Sequence, residues 1–229
     1  VVSPNPEESA ALDMALKRAD EVGADLVMAS DPDADRVGIA IRDDRGELFL
    51  VNGHQTAALL SYYLLSQWSE RGKLSGKEYI VKTIVTTELI ADMAKHYKVP
   101  YWDVLTGFKF IADIIRKNED TMTFIGGGEE SYGFMIGDFV RDKDAVASCS
   151  ILAELAAWAK SRGKSMYDIL LEMYLKFSCY QESLINVVRK GKSGAEEIQQ
   201  MMAGFRENPP KILNGSAVIT IRDYLVQVR

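Results

Sequence analysis

The feature that most limits what this chain can fold into is the alternation of apolar period between residues 53 and 128. "HQTAALLSYYLLSQW" has helical spacing, "EYIVKTIV" reads as a strand, "ELIADMAKHY" as a helix and "YWDVL" as a strand. "FKFIADIIRKN" follows as a helix and "TMTFIGG" as a strand. Strands separated by helices imply βαβ crossovers. The alternation therefore predicts an α/β fold, a mostly parallel mixed sheet with helices on both faces.

The flanking segments are less regular. Asn5-Pro6 with Glu8 predicts a capped helix start, and Leu12, Ala15, Leu16, Ala19 and Val22 mark one helical face up to a stop at Gly23. "DLVMAS", "VGIAIR" and "ELFLV" read as strands, the last two a hairpin turning at Asp44-Arg45-Gly46. Together they predict a partial second α/β unit at the N-terminus. Beyond residue 143, Asp144 is expected to start one helix, and Ser165 with Asp168 to cap a second. "ESLINVV" is β-like, Ser193 with Glu196 predicts a third helix start, and "AVITI" is a last strand candidate after the Asn208-Pro209-Pro210 break.

Composition excludes some classes. A chain of 229 residues suggests one or two domains, and a net charge of −6 speaks against a general nucleic-acid binder. "TAALLSYYLL", the greasiest long stretch, is too short to cross a bilayer, so no membrane role is expected. Cys149 and Cys179 make neither a disulfide framework nor a zinc site; two buried thiols in a reducing, cytoplasmic setting are expected. Asn214-Gly215-Ser216 matches a glycosylation acceptor, which is discounted because no secretion signal is visible. The opening "VVSPNPEE" has no initiator methionine and reads as a cut from something longer.

Ligands in open α/β sheets bind on loops at the carboxyl ends of strands. Three such loops are chemically loaded. "SDPDADR" sets Asp31, Asp33 and Asp35 at alternate positions beside Arg36. Carboxylates packed this closely repel unless a cation sits among them. With no Cys or His nearby, a hard oxygen-ligated ion such as Mg²⁺ or Ca²⁺ is the natural occupant. A calcium EF-hand is disfavoured, because its glycine and acid positions fall on Arg36 and Arg42. A phosphatase-like site with Asp31 as nucleophile and Asp33 as acid stays open, as does a solvated acidic turn. "GGGEESYGF" lacks the Lys-Ser/Thr of a phosphate-binding P-loop and offers Glu129, Glu130 and Ser131 to hydroxyl groups, as on a sugar. A polar surface turn is the competing reading. "TGFK" supplies a tight turn at Gly107 and a cation at Lys109, while "RDKDA" reads alone as a charged loop and helix cap. His54 and His96 have no partner in sequence and read as surface or satisfied residues.

Taken together, "DPDADR" resembles the metal loop of the α-D-phosphohexomutases, the phosphoglucomutase and phosphomannomutase superfamily. "GGEESYG" resembles that family's sugar loop and "TGFK" its third-domain T-G loop; "SPNPEE" and "RKGKSGAEEIQQMMAGFRENPPKILNG" look like bacterial phosphoglucomutases. The resemblance implies four α/β domains around one cleft, in which a phosphoserine of domain one exchanges a phosphoryl group with a hexose phosphate. It implies Asp31, Asp33 and Asp35 as Mg²⁺ ligands and Arg36 as an active-site arginine. Glu129 and Ser131 match sugar-hydroxyl contacts, Thr106 and Gly107 a second substrate contact with Lys109 beside them, and Lys143 a candidate for proton transfer. In these terms residues 1–50 are the end of domain two, 51–177 domain three, and 178–229 the connection towards domain four. No T-A-S-H-N-P-like serine loop and no R-x-S-G-T-like phosphate loop occurs in the 229 residues. The chain is therefore expected to be a catalytically silent part, its partners being domains one and four and a hexose phosphate, with a tendency to dimerise through the edge of a truncated sheet. A non-catalytic, metal-dependent sugar-phosphate binding module and a phosphopentomutase-type activity of the parent remain alternatives.

Overall fold

The structure is a computed structural model, describing residues 4–183 and 187–224. It divides into two compact units, Val1–Glu182 and Ser183–Arg229.

The first unit opens with helix α1 (Ser9–Val22), followed by strands β1 (Leu26–Ser30), β2 (Val37–Arg42) and β3 (Leu48–Val51), which form an antiparallel sheet in chain order. Strand β2 is buried on both faces: Ala40 packs toward α1, whereas Val37, Ile39 and Ile41 enter the main core. Gly23 ends α1 as expected. The start of α1 is a correction. Asn5 accepts from the Glu7 amide in a local turn, and the helix begins at Ser9 after Glu8, which makes no side-chain cap. Asn and Asp side chains close short turns as readily as they cap helices.

Helix α2 (Gly53–Glu70) starts from a capping box in which Asn52 and Gln55 satisfy each other's backbone amides. Then come β4 (Glu78–Thr83), α3 (Leu89–Tyr97), β5 (Tyr101–Val104), α4 (Phe108–Asn118), β6 (Thr123–Gly128) and β7 (Phe134–Ile136). The sheet order is β5-β4-β6-β7, parallel except for the antiparallel β6–β7 pair. Alternation along the strands separates two cores. Ile80 and Ile125 face the α2 and α3 side; Tyr79, Val81 and Phe124 face α4. The predicted mixed α/β sheet with helices on both faces is present.

Helix α5 (Ala145–Ser161) is capped by Asp144, whose side chain accepts from the Ala147 amide at 3.0 Å, and α6 (Met166–Lys176) opens with the Ser165–Asp168 capping box. Buried residues of α5 and α6 join the same core as β2, α2 and β6, so the N-terminal sheet and the four-stranded sheet share one apolar interior.

In the second unit α7 (Gly191–Glu207) begins after Lys190, ahead of the expected cap at Ser193. Strands β8 (Ile212–Leu213) and β9 (Ser216–Ala217) form a short hairpin around Asn214 and Gly215, both at positive φ, so the "AVITI" strand is confined to its first residue. The β-like "ESLINVV" spans 184–186, which lie outside the described residues. Cys149 is half-buried, but Cys179 is exposed, against the expectation of two buried thiols. No helix among the described residues is long and apolar enough to cross a membrane.

Candidate active site

The aspartate loop links β1 to β2 as a hairpin connection. Its shape is held from within: Asp31 Oδ1 accepts from the amides of Asp35 at 3.0 Å and Arg36 at 2.9 Å, and Ala34 takes positive φ. This fold turns the three carboxylates together. One oxygen each from Asp31, Asp33 and Asp35 lies within 4.8 Å of the others. Burial works against charge on Asp31, but the Arg36 amide and its neighbours outweigh it and hold this carboxyl below its usual value. Asp35 is shifted the other way, raised by burial and by Asp31 despite its bond to Lys143.

Two cations flank the cluster. Lys143 Nζ lies 2.7 Å from Asp35 Oδ2. Arg36 Nε is 3.9 Å from Asp31 and 3.7 Å from Asp35, while its terminal nitrogen reaches Glu7 at 3.1 Å. Glu7, from "SPNPEE", was not singled out in the sequence; its link to Arg36 crosses 29 positions, which no local pattern signals.

The acidic "GGGEESYGF" segment lies directly against this loop. Arg36 and Gly133 form an antiparallel bridge, and the Val37 amide donates to Tyr132 O at 3.0 Å. The three glycines are a correction to the loop reading, because Gly126, Gly127 and Gly128 form the buried end of β6. A Cβ on Gly127 would fall 2.1 Å from the Val81 carbonyl, so glycine here serves strand-to-strand approach. The loop proper starts at Glu129. That side chain is 6% exposed, and its Oε1 accepts from the Gly107 amide at 2.6 Å. Burial lifts Glu129 above its ordinary value, with the Gly107 amide opposing. Gly107 holds φ +121°, a region that side-chain-bearing residues rarely enter, and this orients its N–H toward Glu129.

Thus the structure brings together Asp31, Asp33, Asp35, Arg36, Lys143, Glu129 and Gly107. Thr106 is exposed beside Gly107, and Ser131 is half-buried in the same loop as Glu129. Lys109 stays exposed on the first turn of α4, its stem beside Gly107 and its ammonium 5.0 Å from the Phe110 ring centre. Glu130, offered in the sequence with Glu129 and Ser131 to a ligand's hydroxyls, is engaged by protein hydroxyls instead, and the residues missed at sequence level, Thr83, Thr86 and Lys82, lie behind it. Glu130 accepts through Oε2 from Thr83 and Thr86, both at 3.1 Å, and Lys82, fully buried, pairs with Asp103 at 2.8 Å and Glu88 at 3.0 Å. Only the place of Lys82 directly after the apolar run Tyr79, Ile80 and Val81 of β4 signals it.

Residues 52–177 match the profile described as phosphoglucomutase/phosphomannomutase, alpha/beta/alpha domain III, and residues 1–46 match that of alpha/beta/alpha domain II. This chain belongs to the phosphoglucomutase/phosphomannomutase family. It is 41% identical over 226 residues to a Staphylococcus aureus phosphoglucomutase, covering 98% of this chain and 40% of that protein. The chain thus spans about two fifths of the length of the curated relatives it matches. Among solved structures it resembles the Paramecium parafusin phosphoglucomutase in its open form, with TM-score 0.60, 16% identity, and coverage of 90% of this chain and 35% of that one. A phosphoglucomutase/phosphomannomutase family protein from Burkholderia thailandensis gives TM-score 0.58 at 17% identity, covering 74% and 33%. At such identities the structural likeness speaks for the fold.

Proposed function

We propose that this chain is the metal-loop and sugar-loop section of a phosphohexomutase that interconverts hexose 1-phosphate and hexose 6-phosphate, phosphoglucomutase being favoured over phosphomannomutase. One observation carries the reading: Lys143, 2.7 Å from Asp35, runs its stem across Gly133 of the acidic loop, so the aspartates and Glu129 address one space. The section boundaries proposed are 1–50 for the end of domain two, 51–177 for domain three and 178–229 for the link to domain four.

The donor set fits Mg²⁺. It consists only of carboxylate oxygens, clustered within 4.8 Å, with Asp31 already held in its charged form by backbone amides. Asp31, Asp33 and Asp35 would hold the ion, which when bound neutralises charge developing on a transferred phosphoryl group. The chain's own groups do the rest. Arg36 offers a guanidinium to a phosphate oxygen. Glu129, through Oε2, and Ser131 accept from or donate to sugar hydroxyls, with the Thr106–Gly107 turn as a second contact. Lys143 carries its proton at Nζ and is placed to donate it. Burial works to lower its value, but the bond to Asp35 outweighs this and raises it above the ordinary lysine range.

The phosphoryl carrier and the distal phosphate loop belong, in this reading, to other parts of the parent. Positioning and charge stabilisation carry this chemistry. The 229-residue chain by itself is therefore expected to be silent in a coupled glucose 1-phosphate assay containing Mg²⁺ and glucose 1,6-bisphosphate. The full-length parent should turn over, and Asp33→Ala should abolish that activity while leaving the melting temperature of the chain within about 1 °C, since Asp33 is exposed and forms no hydrogen bond among the described residues. A parent that binds glucose 1-phosphate with Mg²⁺ yet never turns over would identify a binding module instead.

A further inference from the structure

Glu129 and Glu130 are adjacent acids with different surroundings. Glu129 turns to the Gly107 amide. Glu130 meets different partners, a pair of hydroxyls: Oε2 accepts from Thr83 Oγ1 and Thr86 Oγ1, which lie 2.7 Å from each other. Both threonines are almost fully buried, at 0% and 2% exposure. They sit on the turn that leaves β4, at the end of the sheet where the site lies.

That turn is fastened from below. Lys82, at 0% exposure, donates to the carbonyls of Thr83 at 3.4 Å and Thr86 at 3.2 Å while pairing with Asp103 and Glu88. A buried ammonium is costly unless fully paired, and here two carboxylates and two carbonyls meet it. The result is a chain of contacts from Lys82 to the threonine turn, from the turn to Glu130, and through one peptide to Glu129. The Glu130 backbone has no slack on its other side, since a Cβ on Gly53 at the start of α2 would fall onto its carbonyl oxygen.

We propose that Thr83 and Thr86, braced by Lys82, are positioning residues that anchor Glu130 and thereby aim Glu129 into the site. This rests on the reading of Glu129 as the acceptor of a sugar hydroxyl. The two hydroxyls hold Oε2 of Glu130 and so draw its carboxylate away from the ligand space. Without that anchor two neighbouring acids compete for one position, and their mutual repulsion turns Glu129 away from the Gly107 amide. Misplacement of a reacting or orienting group by about 1 Å costs on the order of a hundredfold in rate.

The test uses the full-length parent and a double-mutant cycle. Thr83→Val with Thr86→Val keeps the side-chain shape and removes both hydroxyls; Thr83→Ser with Thr86→Ser keeps the hydroxyls and is the rescue. The valine pair should lower kcat/KM for glucose 1-phosphate by roughly ten- to a hundredfold, and the serine pair should recover most of it. The Mg²⁺ concentration for half-activation should not move in either. Because the threonines act through Glu129, adding the valine pair to Glu129→Gln should cost nothing beyond Glu129→Gln alone. Effects that multiply, or a serine pair as impaired as the valine pair, would overturn the proposal while leaving the role of Glu129 intact. If Glu129→Gln itself leaves kcat/KM unchanged, the sugar-loop reading fails and this inference fails with it. Far-UV circular dichroism and melting of each variant show whether the valine pair is folded; if it is not, the single Thr86→Val variant carries the same cycle.

Discussion

Lys143 and Asp35 meet at 2.7 Å, Nζ to Oδ2, and this contact ties the approach to α5 to the aspartate hairpin. The ammonium also lies 5.4 Å from the Phe108 ring centre, and the lysine stem lies so close over Gly133 that a Cβ there would come within 2.3 Å of Cδ. One side chain therefore touches the aspartate loop, the acidic loop and the first turn of α4. It also supplies a positive charge at a cluster of three carboxylates.

That position makes Lys143 a competitor of any cation for Asp35. Lys143→Met preserves the packed stem and removes the charge. Mg²⁺ binding to the 229-residue chain, measured by calorimetry, should tighten by roughly tenfold, corresponding to the ~1.5 kcal/mol of a hydrogen bond to a charged group that the ion no longer displaces. Unchanged or weaker binding would show that the lysine does not compete. In the parent the same variant should lose turnover despite the tighter metal.

Gly127 tests the correction to the glycine run. If the glycines were a flexible ligand loop, alanine would be tolerated. In the structure a Cβ at this position meets the Val81 backbone at 2.1 Å, between two paired strands that cannot separate without losing their hydrogen bonds. Gly127→Ala should lower the stability of the chain by about 3 kcal/mol, the upper end of overpacking costs, read from urea unfolding. A midpoint indistinguishable from that of the unsubstituted chain would return the segment to a loop.

Asp92 and Tyr180 make a prediction about pH. Tyr180 donates to Asp92 Oδ2 at 2.6 Å, and Lys95 donates to the other oxygen at 3.1 Å. Burial opposes the charge on Asp92, yet these two donors hold its folded pKa below the ordinary 3.8. A depressed carboxyl contributes stability that is complete above its unfolded value and fades as pH falls through the folded value. Tyr180 is shifted up to about 12, first by its bond to Asp92. A raised phenol contributes fully below its unfolded value near 10.0 and loses that contribution as pH rises through about 12. The pair should thus stabilise the chain across the window between those limits. Tyr180→Phe should cost about 1 kcal/mol at pH 7, and the gap in melting temperature between the two proteins should narrow below about pH 4. A gap that stays constant from neutral pH down to about pH 3 would dismiss the linkage.

The alternation between residues 53 and 128 was enough to determine the α/β class and the order of strands and helices, because apolar period and turn residues act within one or two turns of chain. The same locality made the Ser165–Asp168 and Asp144 caps legible and placed three aspartates on one loop. It failed where two local outcomes compete closely, as at Asn5, which closes a turn instead of capping α1, and at Ser193, which lies inside α7. Tertiary structure alone decided the rest. The glycines joined β6 because Val81 stands where a side chain would go, and Glu129 parted from Glu130 because the Gly107 amide meets the one and the Thr83–Thr86 hydroxyls meet the other. Lys82 became a fully buried cation because Asp103 and Glu88 converge on it, and Glu7 meets Arg36 across 29 positions of chain. In each case the partner is supplied by a different element, which no stretch of sequence contains by itself: steric exclusion decides at Gly127, and for Glu129, Glu130 and Lys82 the deciding energy is that of burying a polar group with or without its match.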